Sequence, residues 1–520
     1  MPVTPTDLDS ARKRIQLAYD PHLLSQAGER LADLLGEHLQ SVQNSEQSVL
    51  NWRHPRENIA HAARSLSGSP LHERVENIDD QKTAELQELI LNQFQHLVKT
   101  MFSRAQNLHN PRYIGHQVPA SVPLAGLFDA LGAITNQVGA IYEMGPWAAA
   151  TEFALIEALG QQFGLPPGEF AGVITSGGSL ANLTALLTAR NVTLDESWAN
   201  GVSSVHPAPV LVAHAEAHYC IARSAGILGL GTNQVIPAEL DERRRMDPQK
   251  LDELLTRLRT ENRPVIAVAS GACATPVGAF DPLHDIANVC EKHDVWLHVD
   301  AAHGGAACFS ENYRHLLAGL ERADSFICDA HKMMFVPALC AFVFYRNKEH
   351  RYKAFEQDAP YLFDPSAPDL ADYDGGLKTI ECTRRAASYG LWGLWSLFGP
   401  QLFADMVDVT FDLGRRFYER LSEAEDFEPL HEPECNIVVF RHVPKNLADV
   451  APEMLGRFQL ELRRRLIESG AFYIVPTRKD GIAALRVTII NPLTRIEELE
   501  QLLVTLREQG KSVSVDLFKS

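Results

Sequence analysis

The chain has 520 residues, 45% of them hydrophobic and 22% charged, which is typical of a globular protein with more than one structural unit. Its formal net charge of −18 argues against a nucleic-acid partner, which would require a basic surface. None of the eight cysteines forms a CxxC pair, and several stand in apolar runs, so we expect reduced thiols and a cytoplasmic protein. The most apolar long segment, residues 118–142, contains Asp129, Asn136 and Gln137 and therefore predicts a core helix rather than a membrane span.

The first part of the chain is predicted to be helical. Apolar residues recur at three- and four-residue spacings over residues 23–42 and 83–102, which is typical of amphipathic helices. Strand and helix patterns then alternate from Gly172 to Tyr345, and this alternation predicts a mainly parallel sheet. After about residue 399 the order of helices and strands changes, which predicts a smaller α+β domain. The expected domains are a helical N-terminal arm (1–105), a large α/β domain (106–398) and a small C-terminal domain (399–520).

Short apolar runs bounded by turn residues predict the strands of both sheet-containing domains. In the large domain they cover residues 172–175, 209–213, 234–236, 265–269, 295–299, 325–328 and 340–345. In the small domain they cover residues 435–441, 472–475 and 484–490.

Two polar segments follow predicted strands of the large domain: HVDAAHGG, which contains Asp300, and DAHK, which ends at Lys332. Parallel sheets bind ligands just beyond the carboxyl ends of their strands, so these two side chains are expected to meet. A lone Asp is more often a helix cap, and a lone Lys is more often a surface residue. A carboxylate and an amine together suit the cationic ring of pyridoxal phosphate (PLP), where Lys bonds the aldehyde and Asp keeps the ring nitrogen protonated.

A glycine-rich turn, TSGGSLAN at residues 175–182, follows the first strand of this domain and opens a helix. The helix N-terminus offers unpaired N–H groups and a positive potential to a phosphate, and the glycines let the backbone approach it. The turn lacks the GxGxxG pattern and its acidic partner, so dinucleotide binding is weakly supported. An ordinary strand–helix turn remains the alternative.

Two histidines four residues apart, His214 and His218, stand in the segment HAEAH. Such a pair could ligate a metal on one face of a helix, but this segment follows a strand and lacks the HExxH order of zinc proteases. We therefore predict no metal site. His303 is expected to line the pocket or to have a structural role.

The segments HVDAAHGG and DAHK, in this order and each after a strand, resemble those of the group II PLP-dependent amino-acid decarboxylases. This family includes the glutamate, aspartate, cysteine-sulfinate, diaminobutyrate, histidine and aromatic amino-acid enzymes. The resemblance extends from Asn110 to Thr494. It implies a type I PLP fold, similar to that of aspartate aminotransferase, with an N-terminal arm that packs across a homodimer. It also implies pyridoxal 5′-phosphate as the cofactor and the release of CO₂ from the α-carboxylate of an amino acid.

The resemblance further implies roles for individual residues of the cofactor site. Lys332 would bond the cofactor, and Asp300 would contact its ring nitrogen. His218 would lie flat on the ring and, as a catalytic residue, help to hold the α-carboxylate of the substrate. Gly178 and Ser179 match the phosphate-binding turn. The remaining expected cofactor contacts are Thr275, Ala302, Asp329 and His331. The string Cys-Ala-Thr that ends at Thr275 departs from the GTT-like string usual in the family, so a loop threonine that caps its own backbone remains an alternative.

The resemblance also indicates residues for catalysis and substrate binding. Tyr361, in the loop AFEQDAPYLFDPS, matches the tyrosine that returns a proton to the substrate Cα. Arg486, in ALRVTIINPLT, matches the arginine that binds the α-carboxylate, with a structural salt bridge as the alternative. His116 and Gln117 are expected to meet a polar substrate side chain. Gly390 stands where the family tends to have lysine.

The segments YEMGP and HVDAAHGG favour an acidic or polar substrate, such as aspartate, glutamate, cysteine sulfinate or 2,4-diaminobutyrate. The expected partner is a small-molecule amino acid, with neither a nucleic acid nor a membrane. Three alternatives remain open. They are an aromatic amino-acid decarboxylase, a PLP-dependent aldehyde synthase or lyase, and a non-catalytic interaction protein of the same fold.

Overall fold

The computed structural model describes residues 5–67, 80–194, 196–355 and 372–518. The chain forms two compact units, each built from segments that are distant in sequence. Unit 1 comprises Met1–Ile114, Leu460–Ile474 and Leu493–Ser520, and unit 2 comprises Gly115–Gln459 and Val475–Pro492. The expected division into an arm, a large domain and a small domain remains a prediction.

Unit 1 is built mainly from helices. Its N-terminal helices are α1 (Pro5–Ala18), α2 (Pro21–Gln43), α3 (Pro55–Ser67) and α4 (Asp80–Arg104). Helices α2 and α4 pack against each other, and a guanidinium nitrogen of Arg30 lies 3.0 Å from a carboxylate oxygen of Glu88. The two amphipathic helices predicted from the apolar spacing are thus confirmed.

Most of the remaining helices belong to unit 2. They are α5 (Pro123–Ile134), α6 (Pro146–Gln162), α7 (Gly178–Thr193), α8 (Ser197–Asn200), α9 (Cys220–Ile227), α10 (Pro248–Thr260), α11 (Leu283–His293), α12 (Ser388–Phe398) and α13 (Gln401–Glu423). Two more helices follow, α14 (Pro452–Glu468) and α15 (Ile496–Phe518). Proline opens α5, α6 and α10, because the first turn of a helix needs no hydrogen bond from its N–H. Within the described residues, no helix has the length and apolar character needed to cross a membrane.

The main sheet of unit 2 has seven strands in the order β1-β7-β6-β5-β4-β2-β3. They are β1 (Ala171–Thr175), β2 (Val210–His214), β3 (Val235–Ala238), β4 (Val265–Gly271), β5 (Leu297–Asp300), β6 (Ser325–Asp329) and β7 (Ala341–Tyr345). Five adjacent strands of this sheet, β3, β2, β4, β5 and β6, are parallel to their neighbours. Strand β7 runs antiparallel to both β1 and β6. Helix α7 packs on β4, β6 and β7. The predicted α/β fold with a mainly parallel sheet is confirmed, since buried parallel strands appear in a sequence as continuous apolar runs.

A second, antiparallel sheet has the order β10-β11-β9-β8. Its strands are β8 (Phe427–Pro429), β9 (Ile437–His442), β10 (Val475–Lys479) and β11 (Ile482–Thr488). The prediction of a strand at 472–475 is wrong, because β10 begins at Val475 and Tyr473 instead forms a single bridge with Tyr113. Strand β8 was missed because three residues that end in a proline carry no strand pattern.

Candidate active site

A cavity of about 310 Å³ lies within unit 2, where the carboxyl ends of the main strands meet. Its walls come from the segments that follow β1, β2, β4, β5 and β6. Most of the residues proposed from the sequence line it: Gln117, Gly178, Ser179, His218, Thr275, Asp300, Ala302, Asp329, His331 and Lys332. The expected meeting of the two strand-end segments at one edge of the sheet is therefore observed.

The lysine of DAHK forms an ion pair inside this cavity. Nζ of Lys332 lies 3.2 Å from Oδ2 of Asp329, and Nε2 of His331 lies 3.6 Å from the same oxygen. Burial alone would lower the pKa of the Lys332 ammonium, but Asp329 and Asp300 outweigh this effect and raise the pKa above its usual value. The other oxygen of Asp329, Oδ1, is buried and has no hydrogen-bond partner within the described residues.

The carboxylate of Asp300 is held by one hydrogen bond on each oxygen. The backbone N–H of Ala302 donates to Oδ1 at 3.1 Å, and the amide Nδ2 of Asn182 donates to Oδ2 at 3.1 Å. A carboxylate oxygen can accept two hydrogen bonds, so both oxygens retain a lone pair. Asp300 can therefore accept a further N–H donor from a ligand in the cavity.

The glycine turn brings the N-terminus of α7 to the same cavity. Gly177 has a φ of +106°, which favours glycine, and α7 begins at the next residue. A Cβ atom on Gly178 would lie 2.6 Å from Oδ2 of Asp329, so a side chain at this position would clash with the carboxylate. The first N–H groups of α7 have no partner within the helix itself, which makes this end of the cavity suitable for an anion such as a phosphate.

His218 lies at the wall of the cavity beyond β2. Its Nδ1 accepts a hydrogen bond of 3.3 Å from the backbone N–H of Cys220. Burial lowers the pKa of His218, which opposes the effect of the nearby Asp300 carboxylate. The ring is therefore neutral at neutral pH, and a neutral imidazole can pack against an aromatic ligand without the desolvation cost of a charge.

Two residues proposed for the substrate do not line the cavity. His116 is exposed. Arg486 is buried, and its Nη1 donates a hydrogen bond of 2.6 Å to the backbone carbonyl of Thr275, while its Nε has no partner within the described residues. Gln117 does line the cavity, and its buried Nε2 likewise has no partner among the residues described. Tyr361, which is expected to return a proton to the substrate, lies outside the described residues.

The structure also shows two polar residues that the sequence analysis did not single out, Asn182 in the cavity wall and His298 behind it. Asn182 lies on α7, one turn after Gly178, and contacts both Asp300 and His298. His298 precedes Asp300 by two residues on β5, so the two side chains lie on the same face of the strand. This spacing is visible in the sequence and could have indicated that His298 supports Asp300.

Comparisons with known proteins agree with this geometry. Residues 70–443 match the family model described as the pyridoxal-dependent decarboxylase conserved domain. The protein named acidic amino acid decarboxylase GADL1 is 30% identical over 379 residues in Homo sapiens, which is 72% of this chain and 72% of that protein. The Mus musculus protein of the same name is also 30% identical, over 72% of this chain and 68% of its own length.

Solved structures show the same fold. The crystal structure of mouse CSAD is 26% identical to the chain, with a TM-score of 0.82, and the similarity covers 94% of this chain and 99% of that one. A structure of Oryza sativa TDC with PLP and tryptamine has a TM-score of 0.80 at 20% identity, over 98% of this chain and 99% of that chain, and it supports the fold alone. The chain therefore belongs to the family of pyridoxal-dependent decarboxylases, and it is an enzyme, a PLP-dependent carboxy-lyase with the type I fold.

Proposed function

We propose that this enzyme removes the α-carboxyl group, as CO₂, from an L-amino acid with an acidic or polar side chain. The observation that carries the proposal is that Lys332, Asp300 and the neutral His218 reach one cavity at the N-terminus of a helix. The preference for an acidic substrate is supported by relatives named acidic amino acid decarboxylase.

The residues present fit the cofactor. Glycine is required at position 178, because any side chain there would clash with Asp329. Helix α7 begins at this residue, and a helix N-terminus can bind a phosphate. Asp300 keeps acceptor capacity for a ring N–H, since each of its oxygens accepts one hydrogen bond from the protein. When bound, PLP supplies an electron sink for the electrons that CO₂ leaves behind.

Each residue then has a proposed task. Lys332 bonds the cofactor through its amine, and Asp300 holds the proton on the ring nitrogen. Gly178 and Ser179 bind the phosphate through the N-terminus of α7, and His218 packs on the ring. The other proposed contacts are Thr275, Ala302, Asp329 and His331, all of which line the cavity.

Two residues are proposed to act on the substrate. Arg486 binds the α-carboxylate. One of its N–H groups donates to the Thr275 carbonyl, whereas Nε has no partner in the described part of the chain and is therefore available to a ligand. Tyr361 returns a proton to Cα after CO₂ has left. Binding of the α-carboxylate fixes the orientation of the bond between Cα and the carboxylate carbon relative to the cofactor ring. This orientation is the main contribution of a protein to the reaction.

The cavity also offers a group for the substrate side chain. Nε2 of Gln117 is buried in the cavity wall without a partner among the described residues. A buried amide donor is unfavourable unless a ligand accepts its hydrogen bond. A carboxylate, a sulfinate or another polar side chain would satisfy it, whereas an aromatic hydrocarbon would not. His116 stays a second proposed contact.

We also propose that the enzyme is a homodimer. Helix α5 exposes Leu127, Leu131 and Ile134, which are 61%, 55% and 63% accessible. Their spacing of four and three residues places them on one face, and a continuous exposed apolar face marks a protein–protein contact. A second copy of the chain is the proposed partner. A cytoplasmic location is proposed as well, supported by the absence of disulfides among the eight cysteines, all of which lie in the described residues.

The test of the proposed function is a substrate panel with added PLP. Aspartate, glutamate, cysteine sulfinate and 2,4-diaminobutyrate are compared with tyrosine and tryptophan for release of CO₂ and formation of amine. We expect turnover of at least one acidic or polar amino acid, and none with Lys332→Ala. Gln117→Leu should raise KM for that substrate. Turnover restricted to the aromatic amino acids would contradict the proposed specificity, and aldehyde as the main product would contradict the proposed reaction.

A further inference from the structure

A continuous series of hydrogen bonds connects the indole of Trp296 with the carboxylate of Asp300. Nε1 of Trp296 donates to Oγ of Ser325 at 2.9 Å, and Oγ lies 2.9 Å from Nδ1 of His298. Nε2 of His298 lies 2.8 Å from Oδ1 of Asn182, whose Nδ2 donates to Oδ2 of Asp300 at 3.1 Å. Ser325, His298 and Asn182 are almost fully buried, so water does not compete for these bonds.

The carboxylate at one end of this series determines the direction of its bonds. Asp300 accepts, so Nδ2–H of Asn182 donates to it, and Oδ1 of Asn182 faces Nε2 of His298. Burial lowers the pKa of His298 to about 4, so the ring is neutral at neutral pH, and its one proton lies on Nε2, where it can be donated to Oδ1 of Asn182. Nδ1 of His298 then accepts from the hydroxyl of Ser325, which in turn accepts from the indole N–H of Trp296.

The opposite arrangement is unfavourable at Asp300. If the amide of Asn182 were turned round, its Oδ1 would face a carboxylate oxygen of Asp300. This contact brings two acceptors together in a buried environment where an unmade hydrogen bond is costly, and a shift of the His298 proton to Nδ1 would not relieve it. The series therefore has one orientation, and it ends as a donor to Asp300.

We propose that Trp296, Ser325, His298 and Asn182 form a relay that holds the carboxylate of Asp300 aimed at the ring nitrogen of PLP. These four are positioning residues, and Asp300 is the group that touches the cofactor. The inference rests on the proposed function, since it assigns Asp300 to the ring nitrogen. Donation of hydrogen bonds to the ionised form stabilises the carboxylate, and the carboxylate in turn holds the ring nitrogen protonated.

Other charged groups also surround Asp300, and the test has to separate the relay from them. The carboxylate interacts electrostatically with His218, Cys220, His298 and Lys332. His298 belongs to the relay, whereas the other three belong to segments that line the cavity. Variants of Ser325 and His298 leave these three groups in place.

A purely structural role must be distinguished as well, because the relay joins β5, β6 and α7. The chain offers a matched control in the same helix. Oγ1 of Thr188 on α7 lies 2.9 Å from the hydroxyl of Tyr345 on β7, and both side chains are buried. Tyr345→Phe removes one buried hydrogen bond between α7 and the main sheet but leaves Asp300 and the relay unchanged.

The experiment measures the protonation of the cofactor ring directly. The holoenzyme is prepared with PLP labelled with ¹⁵N in the ring, and the ¹⁵N chemical shift is followed over the pH range in which the protein stays folded. Wild type, Ser325→Ala, His298→Phe, Ser325→Thr and Tyr345→Phe are compared, and thermal unfolding of each variant identifies those that are folded.

In the wild type, the ring nitrogen should be protonated at neutral pH. Ser325→Ala and His298→Phe should lower the ratio of protonated to neutral ring nitrogen by about ten- to hundredfold at a given pH, the range expected for a lost hydrogen bond to a charged group. Ser325→Thr keeps the hydroxyl and should restore the wild-type ratio. Tyr345→Phe should lower the unfolding temperature without changing the ratio.

The outcomes separate the relay from the proposed function. If the wild type does not bind PLP, or binds it with a neutral ring nitrogen, the assignment of Asp300 fails. If the wild type has a protonated ring nitrogen and the folded Ser325→Ala variant retains the same ratio, the relay is overturned while the proposed function stands. If Tyr345→Phe lowered the ratio of protonated to neutral ring nitrogen equally, the relay would also be overturned, because the ratio would then respond to the loss of any buried hydrogen bond of α7.

Discussion

Nζ of Lys332 lies 3.2 Å from Oδ2 of Asp329, so the lysine proposed to bond the cofactor is half of an ion pair. Burial would lower the pKa of Lys332, but the carboxylates of Asp329 and Asp300 outweigh it and raise the pKa. An ammonium group has no lone pair with which to attack an aldehyde. Lys332 must therefore lose its proton before it bonds PLP, and Asp329 opposes that loss.

The first prediction concerns the rate at which PLP bonds to enzyme from which the cofactor has been removed. Because the pKa of Lys332 is raised, the fraction of neutral amine, and with it the rate, should increase from neutral to alkaline pH. Asp329→Asn removes one of the groups that raise this pKa, so the increase should begin at lower pH, with a rate about tenfold higher at neutral pH. The rate is measured by the change in absorbance as PLP becomes bound.

The control for this experiment is Asp285→Asn, which removes an exposed carboxylate on α11. It should leave the pH profile unchanged. Identical profiles for wild type and Asp329→Asn would mean that Asp329 does not govern the protonation of Lys332.

The second prediction is that Lys332→Ala abolishes covalent attachment of the cofactor. After borohydride reduction, the mass of wild-type enzyme should increase by one reduced cofactor, and the mass of the variant should not. Lys378 is the best control, because it is buried and burial lowers its pKa to about 8, which makes it the rival nucleophile. Lys378→Met should still be labelled. Labelling of the Lys332→Ala enzyme would show that another lysine carries the cofactor.

The third prediction is that Asp300→Asn keeps PLP but loses most turnover. Asparagine still fills the space and can accept a hydrogen bond, yet it has no negative charge with which to hold a proton on the ring nitrogen. Loss of this charge stabilisation should lower kcat by roughly 10² to 10³. Cofactor content and kcat are measured on the same preparation. A variant that binds PLP and turns over at nearly the wild-type rate would remove Asp300 from the site.

The main sheet could be predicted from sequence because most of its strands are buried and contain short apolar runs. Strands β1, β2, β6 and β7 have no exposed residue. Contacts between residues that are distant in the chain left no comparable pattern in the sequence. Tyr473 forms its bridge with Tyr113, a partner that no local pattern could indicate.

The same distinction applies to the site. Asp300 and Lys332 could be placed together, because the ends of parallel strands meet by construction of the fold. The roles of Asn182 and Ser325 could not be predicted in this way. Asn182 contacts Asp300, which is 118 positions away in the chain, and Ser325 contacts His298, which is 27 positions away. The position of Arg486 behind Thr275 likewise depends on how the second sheet packs, which the sequence does not encode locally.

The fourth prediction concerns Tyr361, which lies outside the described residues. Tyr361→Phe keeps the aromatic ring and removes only the hydroxyl proposed to return a proton to Cα. Substrate should still bind and CO₂ should still leave, but amine should form slowly, with aldehyde, ammonia and hydrogen peroxide in its place, since oxygen can react before the proton arrives. All four products are measured in air and, as the control, without oxygen. Amine formation at the wild-type rate with no aldehyde would exclude Tyr361 as the acid.

The last prediction tests whether Arg486 binds the substrate or only supports Thr275. Its guanidinium uses one N–H on the Thr275 carbonyl, at 2.6 Å, and is buried. Lysine keeps the charge but has no planar fork, so Arg486→Lys cannot bond the carbonyl and a carboxylate in the same geometry. If Arg486 binds the α-carboxylate, KM should rise about tenfold or more with a smaller change in kcat, as expected for a lost hydrogen bond to a charged group.

Arg441 provides the matched control for this prediction. It is a buried arginine of β9 in the same sheet, and its Nη2 donates to the backbone carbonyl of Lys479 at 3.3 Å. Arg441→Lys should change the unfolding temperature about as much as Arg486→Lys but leave KM unchanged, because Arg441 has no proposed contact with substrate. KM and the unfolding temperature are measured for both variants. If the two variants lose equal stability and neither changes KM for any amino acid tested, Arg486 supports Thr275 and the α-carboxylate is bound elsewhere.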